Sequence, residues 1–203
     1  MHPYIFRKYN EIISGLTFSG PALEVGATSG GKTLLNLPAL QNIEEKVGIN
    51  IDGPYQFKDF IFHQADANNM DLFSDNYFGL VLCNAMLEHD KYFWKTISEI
   101  KRVVKPGGLV IIGTPGFAES SFQKFISRFK KHDWFRKINS IASLNFILSS
   151  TLTLELHGGS FGDFYRFSPA TYREVFFKGF DNVEITQVMQ PPRIIGLGYK
   201  SSQ

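Results

Sequence analysis

Apolar positions along the first half of the chain alternate between two periods. Ala22–Gly26, Lys46–Ile51, Phe60–Gln64, Phe78–Asn84 and Leu109–Gly113 are short apolar blocks of strand length. Phe78–Asn84 is apolar almost without a break, the pattern of a strand covered on both faces. Between the blocks the spacing turns helical. His2–Ile13 predicts a short helix, and Lys32–Leu40 another after a Gly/Ser-rich turn that ends at Gly31. Tyr92–Val104 sets Phe93, Ile97, Ile100, Val103 and Val104 on one helical stripe. Lys105-Pro106-Gly107-Gly108 ends that helix, because Pro cannot continue it and Gly takes the left-handed cap. Residues 117–150 read as a helical insertion. Pro169–Lys178 predicts a late helix, with Asn182–Met189 and Ile194–Tyr199 as closing strands about Pro191-Pro192.

Strand alternating with helix implies a mostly parallel sheet with right-handed crossovers and helices on both faces. We expect seven strands in one domain over residues 1–203. Ligands on such sheets bind beyond the carboxyl ends of the strands, so the chemistry is sought at the strand exits.

Composition narrows the function classes. A net charge of +2 is too small for a nucleic-acid binder, which carries a clustered basic face. The lone cysteine, Cys83, excludes an internal disulfide and a cysteine metal cluster, and no metal site is expected. Its place within a buried strand makes it a packing residue. Met1–Ser14 has no signal-peptide core, and no run approaches the roughly 18–20 apolar residues that span a bilayer. The expected location is cytoplasmic.

Four strand exits carry a recurring set of groups. The first is Glu24-Val25-Gly26-Ala27-Thr28-Ser29-Gly30-Gly31, where glycines permit a sharp turn and close approach of a ligand to the backbone. The second is Val47-Gly48-Ile49-Asn50-Ile51-Asp52, the third Ala65-Asp66-Ala67-Asn68. The fourth runs from Phe73 through Asn84-Ala85-Met86-Leu87-Glu88-His89, followed by Glu99–Gly108 and the strand from Leu109 to Pro115. In this order the blocks resemble the class I S-adenosylmethionine-dependent methyltransferases (the type 11 group) over roughly residues 20–115, with weaker cover of 158–199.

The resemblance implies a Rossmann-like fold and S-adenosyl-L-methionine as cofactor, with S-adenosyl-L-homocysteine as product. It implies that Glu24, Gly26, Ala27 and Gly30 form the first cofactor motif, although Thr28 replaces the family's middle glycine. Asn50 or Asp52 meets the ribose hydroxyls beside Ile51; Asn50 stands where the family has an acid. Asp66 accepts from the adenine amine, with the backbone of Ala67 at the ring, and Asn84 closes the fourth strand.

Gly26–Thr33 also fits the phosphate-binding loop pattern, Gly, four residues, Gly-Lys-Thr, with Lys32 and Thr33 as phosphate and magnesium ligands. The buried strands ending at Asn84 and Thr114 lack the acid a nucleotide hydrolase needs. A third reading is a degenerate domain that binds the cofactor weakly or not at all and acts as a partner.

On the acceptor side, His89 follows the fourth strand as a candidate base or as a residue that orders the turn. His157 and Tyr165 are candidate substrate residues in a Gly-rich loop; the plainer account there is an Asp163–Arg166 pair and a Ser168 cap with Pro169 at the first helical position. Residues 122–137 are basic and amphipathic: a lid, a weak peripheral membrane contact, or an ordinary helix packed on the core. The expected acceptor is a small molecule, a sugar or a lipid-linked group. The oligomeric state is left open.

Overall fold

The computed structural model describes residues 1–58, 60–117, 162–189 and 192–202. Helix α1 (Pro3–Ser14) leads into β1 (Ala22–Val25) and β2 (Lys46–Asn50), then the hairpin of β3 (Tyr55–Phe57) and β4 (Phe60–Gln64). β5 (Phe78–Asn84), α2 (Phe93–Val103) and β6 (Val104–Pro115) follow. The chain closes with α3 (Pro169–Thr171), β7 (Phe180–Val188) and β8 (Arg193–Lys200). The eight strands form one sheet in the order β3-β4-β2-β1-β5-β6-β8-β7. β4, β2, β1, β5 and β6 are parallel; β8 runs antiparallel between β6 and β7. Seven strands meet the expectation. The eighth, β3, is a three-residue antiparallel addition to β4, turned by Lys58 in the left-handed region. Its brevity hid it in the sequence.

Both faces of the sheet are buried at its centre, which is why β5 is apolar throughout. Leu80 and Leu82 point to the face that packs on Ile5, Tyr9 and Ile13 of α1. Val81 and Cys83 point to the other, against Ile97, Ile100 and Val103 of α2. Each such side chain, fully buried, stabilises the fold by about 1.5–3 kcal/mol.

Three elements differ from the sequence pattern. Lys32–Leu40 is two 3₁₀ turns, Leu34–Asn36 and Pro38–Leu40, rather than an α-helix. Leu37 precedes Pro38 and is held extended (φ −64, ψ 135), which breaks the helix. The Lys105–Gly108 turn is a bulge inside β6: Val104 pairs with Phe78, yet Leu109 pairs with Leu80. The late helix is α only to Thr171, then widens into a π turn over Tyr172–Phe176. The wider turn brings Tyr172, Phe176 and the adjacent Phe177 to the buried side together, which 3.6 residues per turn does not do for neighbouring aromatics.

Residues 118–150, the basic stretch 122–137 and His157 lie outside the described residues. Among the described residues no helix is long and apolar enough to cross a membrane.

Candidate functional site

Four parallel strands end on one side of the sheet, and their exits enclose a cleft of about 250 Å3. From β1 come Gly26 and Thr28; from β2, Ile49, Asn50 and Ile51; from β4, Ala65 and Ala67; from β5, Ala85, Met86 and His89.

The β1 exit hooks onto β2, where the amides of Gly26 and Ala27 both donate to the carbonyl of Ile49 (3.0 and 2.9 Å). Gly26 has φ +77, and a Cβ there would lie 2.6 Å from Met86 Cγ, so only glycine fits. Glu24 does not face the cleft. Its carboxylate is buried and accepts from the Thr33 hydroxyl and the amides of Leu34 (2.9 Å) and Leu35 (3.3 Å). It therefore braces the far leg of the loop. Burial pushes its carboxyl up to about 7, against the pull of those three donors.

Asn50 ties the same loop to the end of β2. Its Nδ2 donates to the carbonyl of Ala27 (2.6 Å), and its Oδ1 accepts from the amide of Asp52 (3.3 Å). Asp52 is exposed and off the cleft wall. Asp66 sits exposed beyond β4, where its Oδ1 accepts from the amide of Asn68 (2.8 Å) between the cleft residues Ala65 and Ala67.

The β5 exit is built differently. Ala85 is left-handed (φ 52) and donates its amide to the carbonyl of Gly113 (2.8 Å). A 3₁₀ turn, Leu87–His89, carries His89 into the cleft wall. Nδ1 of His89 lies 2.7 Å from the carbonyl of Gly162; a carbonyl only accepts, so Nδ1 bears the hydrogen. Glu88 is buried beside it, with Oε1 3.9 Å from His89 Nε2, and burial raises its carboxyl above the ordinary range. The segment 162–167 docks on this turn through the amides of Phe164 (2.8 Å) and Tyr165 (3.3 Å), which donate to the carbonyl of Glu88.

Residues 23–112 match the family model described as a methyltransferase domain. Over those residues the chain is similar to methyltransferase domains, as a class I methyltransferase is. Solved structures agree on the fold. A phosphoethanolamine N-methyltransferase from Haemonchus contortus, in complex with phosphomonomethylethanolamine and S-adenosylhomocysteine, superposes with a TM-score of 0.59 at 14% identity. The match covers 96% of this chain and 53% of that one, so the chain spans about half the length of that enzyme. A putative methyltransferase in complex with the Haloferax volcanii Trm112 activator matches at 0.60 and 16% identity, over 98% and 90% of the two chains. The 1,6-didemethyltoxoflavin-N1-methyltransferase of Burkholderia thailandensis matches at 0.62 and 14% identity, over 97% and 78%. No curated protein matches the sequence.

The cleft brings together Gly26, Asn50, Ile51, Ala67 and His89 of the residues read from sequence. It does not bring Glu24, Ala27, Gly30, Asp52, Asp66 or Asn84 into its wall. Ala27 and Glu24 instead hold the loop from within, and Asn84 ends β5 one residue before the cleft. Tyr165 also stands apart: its hydroxyl donates to the carbonyl of Lys91 (2.9 Å) and its ring packs on Phe93 and Phe167. Asp163 and Arg166 form a bidentate pair, and Ser168 caps α3 through the amide of Thr171 (3.2 Å).

Thr28, Ile49, Ala65, Ala85 and Met86 are wall residues that sequence reasoning left out of the site. Their apolar or small side chains carry no chemical signal; only their place just past a strand end marks them. The phosphate-loop reading of Gly26–Thr33 fails here. The Thr33 hydroxyl is buried and given to Glu24, and no α-helix begins at Lys32 to present amides to a phosphate.

Proposed function

We propose that this domain transfers a methyl group from S-adenosyl-L-methionine to a small-molecule, sugar or lipid-linked acceptor. The observation that carries the reading is Gly26, wedged against Met86 at the point where four strand exits converge on one cleft. That arrangement leaves bare backbone as the floor of a mostly apolar wall, with Thr28, Asn50 and His89 as its polar side chains.

The residues present fit the cofactor. Asn50 has spent one N–H on Ala27 and one lone pair on Asp52; a second of each remains for ribose hydroxyls. Ile51 and Ala67 supply apolar surface for a flat ring. Asp66, on the rim, has its second carboxylate oxygen for an exocyclic amine. When bound, the cofactor supplies an activated methyl on a sulfonium, so the protein's task is to hold the acceptor in line. His89 serves an acceptor that must lose a proton. Its Nδ1 is committed to Gly162, so Nε2 is the nitrogen that takes the proton.

Calorimetry with S-adenosylhomocysteine tests the reading. Wild type binds at micromolar Kd, roughly −8 kcal/mol, and Gly26→Ala and Asp66→Ala each weaken binding. Folded wild type that binds no S-adenosyl compound would leave a non-catalytic partner domain as the function.

A further inference from the structure

We infer that the face formed by Lys91, Tyr92, Trp94, Lys95 and Phe164 docks the protein on an anionic membrane surface, beside the mouth of the cleft. α2 buries Ile97 and Ile100, as an amphipathic helix should, but its opposite side does not turn polar at the start. Trp94 is 50% exposed, Tyr92 52% and Phe164 45%. Three large rings left this far in water on one face are not explained by core packing.

Two of the rings touch, and a lysine beside them reaches the third. Tyr92 meets Trp94 edge-on at 5.7 Å between centroids, and Lys91, next to Tyr92 in the chain, places Nζ 5.4 Å from the Phe164 ring. Lys95 Nζ lies 5.1 Å from the Tyr92 ring. Aromatics with an apolar body and a polar edge, interleaved with lysines whose stems are apolar, are the residue types that settle at a lipid headgroup boundary.

Charge selects the lipid. The acids around the face are committed inward. Asp90 accepts from the Tyr92 amide, Asn68 and Thr96; Asp163 is paired with Arg166; Glu99 is paired with Arg102; Glu88 is buried. Lys91 and Lys95 remain exposed, so the face is positive and complements an anionic leaflet. Its backbone is also fixed. The Tyr165 hydroxyl holds the carbonyl of Lys91, and the Phe164 amide holds that of Glu88. A pre-ordered face loses little entropy on docking. Lys91 is two residues from His89 in the cleft wall, so docking brings the cleft to the headgroup plane. That consequence, a lipid-linked acceptor, rests on the methyltransferase reading; the docking itself does not.

The test uses the full chain and two kinds of vesicle, phosphatidylcholine alone and equal parts of phosphatidylcholine and phosphatidylserine. Wild type co-sediments with the mixed vesicles and salt releases it. Trp94→Ser with Phe164→Ser lowers partitioning about tenfold, and Lys91→Glu with Lys95→Glu about as much. These positions are exposed, so circular dichroism and thermal unfolding stay as in wild type. In Trp134→Phe, Trp94 is the remaining tryptophan, and its emission shifts to the blue on the mixed vesicles. Equal binding to both vesicle types, or variants that bind like wild type, overturns the proposal. So does self-association in sedimentation velocity that Trp94→Ser abolishes while vesicles bind nothing, because the face then serves a second copy. S-adenosylhomocysteine titrations on the same samples keep failure of docking separate from failure of the cofactor reading.

Discussion

The two turns that face each other across the cleft are held by opposite means. The β1 exit is tied by polar atoms: a buried carboxylate, Glu24, collects three donors, and the Asn50 amide spans from Ala27 to Asp52. The β5 exit is tied by backbone and rings. Segment 162–167 docks on Glu88, and Tyr165, Phe167 and Phe93 pack against one another at 5.0–5.8 Å between centroids. In the proposed function the first turn would face the cofactor and the second the acceptor. Polar tethers set angles sharply but respond to pH, whereas aromatic packing does not.

The comparison breaks most severely at Phe167, buried among Phe93, Tyr165 and Phe176. Phe167→Ala is expected to cost about 3–5 kcal/mol in urea denaturation, equally at pH 5 and pH 7.5. Next is Glu24→Ala, which strips the Thr33 hydroxyl and two amides of their acceptor and is expected to cost about 3 kcal/mol.

Burial raises a carboxyl at each turn, Glu24 at the β1 exit and Glu88 at the β5 exit, and the larger shift is that of Glu24. Burial raises Glu24 from 4.5 to about 7, so the folded state binds the proton more tightly than the unfolded chain. The resulting stability is fully present below 4.5 and is lost as pH rises through about 7. Wild type should therefore lose up to about 3 kcal/mol between these limits. Glu24→Gln reduces that slope in the same denaturation series, leaving the smaller part that Glu88 contributes. An unchanged slope in the variant would mean that Glu24 is not the group that titrates.

Smaller effects sharpen the contrast. Asn50→Asp installs the acid usual in the family, yet it removes the donor to the Ala27 carbonyl and sets two acceptors against each other. Calorimetry should show about tenfold weaker S-adenosylhomocysteine binding, about 1.4 kcal/mol. Tyr165→Phe loses only the bond to the Lys91 carbonyl. It should cost about 1 kcal/mol of stability and leave cofactor binding unchanged, as a strut and not a wall residue.

Some of this was legible in the chain because it depends on local chemistry. The periods of the apolar blocks set out seven strands and the α1 and α2 stripes, since an element covered by core must be apolar where it is covered. The Ser168 cap with Pro169, and the Gly26 turn, follow from backbone preferences that act within a few residues. The rule that ligands bind beyond the carboxyl ends of parallel strands then pointed to the strand exits, and a cleft lies at those of β1, β2, β4 and β5.

Other features were decided only by what the fold brings together. Glu24 and Asn50 look alike in sequence as cofactor ligands. Their roles part because β1 buries one carboxylate over the Thr33 turn, whereas the end of β2 opens Asn50 onto the cleft. Lys32–Leu40 lost its helix to a single proline. Ala85 adopts a left-handed backbone because Gly113 of the neighbouring strand takes its amide, 28 residues away in the chain. Tyr165 became a strut because Lys91 lies under its hydroxyl. Periodicity and turn propensity are properties of neighbours in sequence, and they determined the elements. Burial, partner and accessible face are properties of neighbours in space, and the packing of those elements determined which residues reach the cleft.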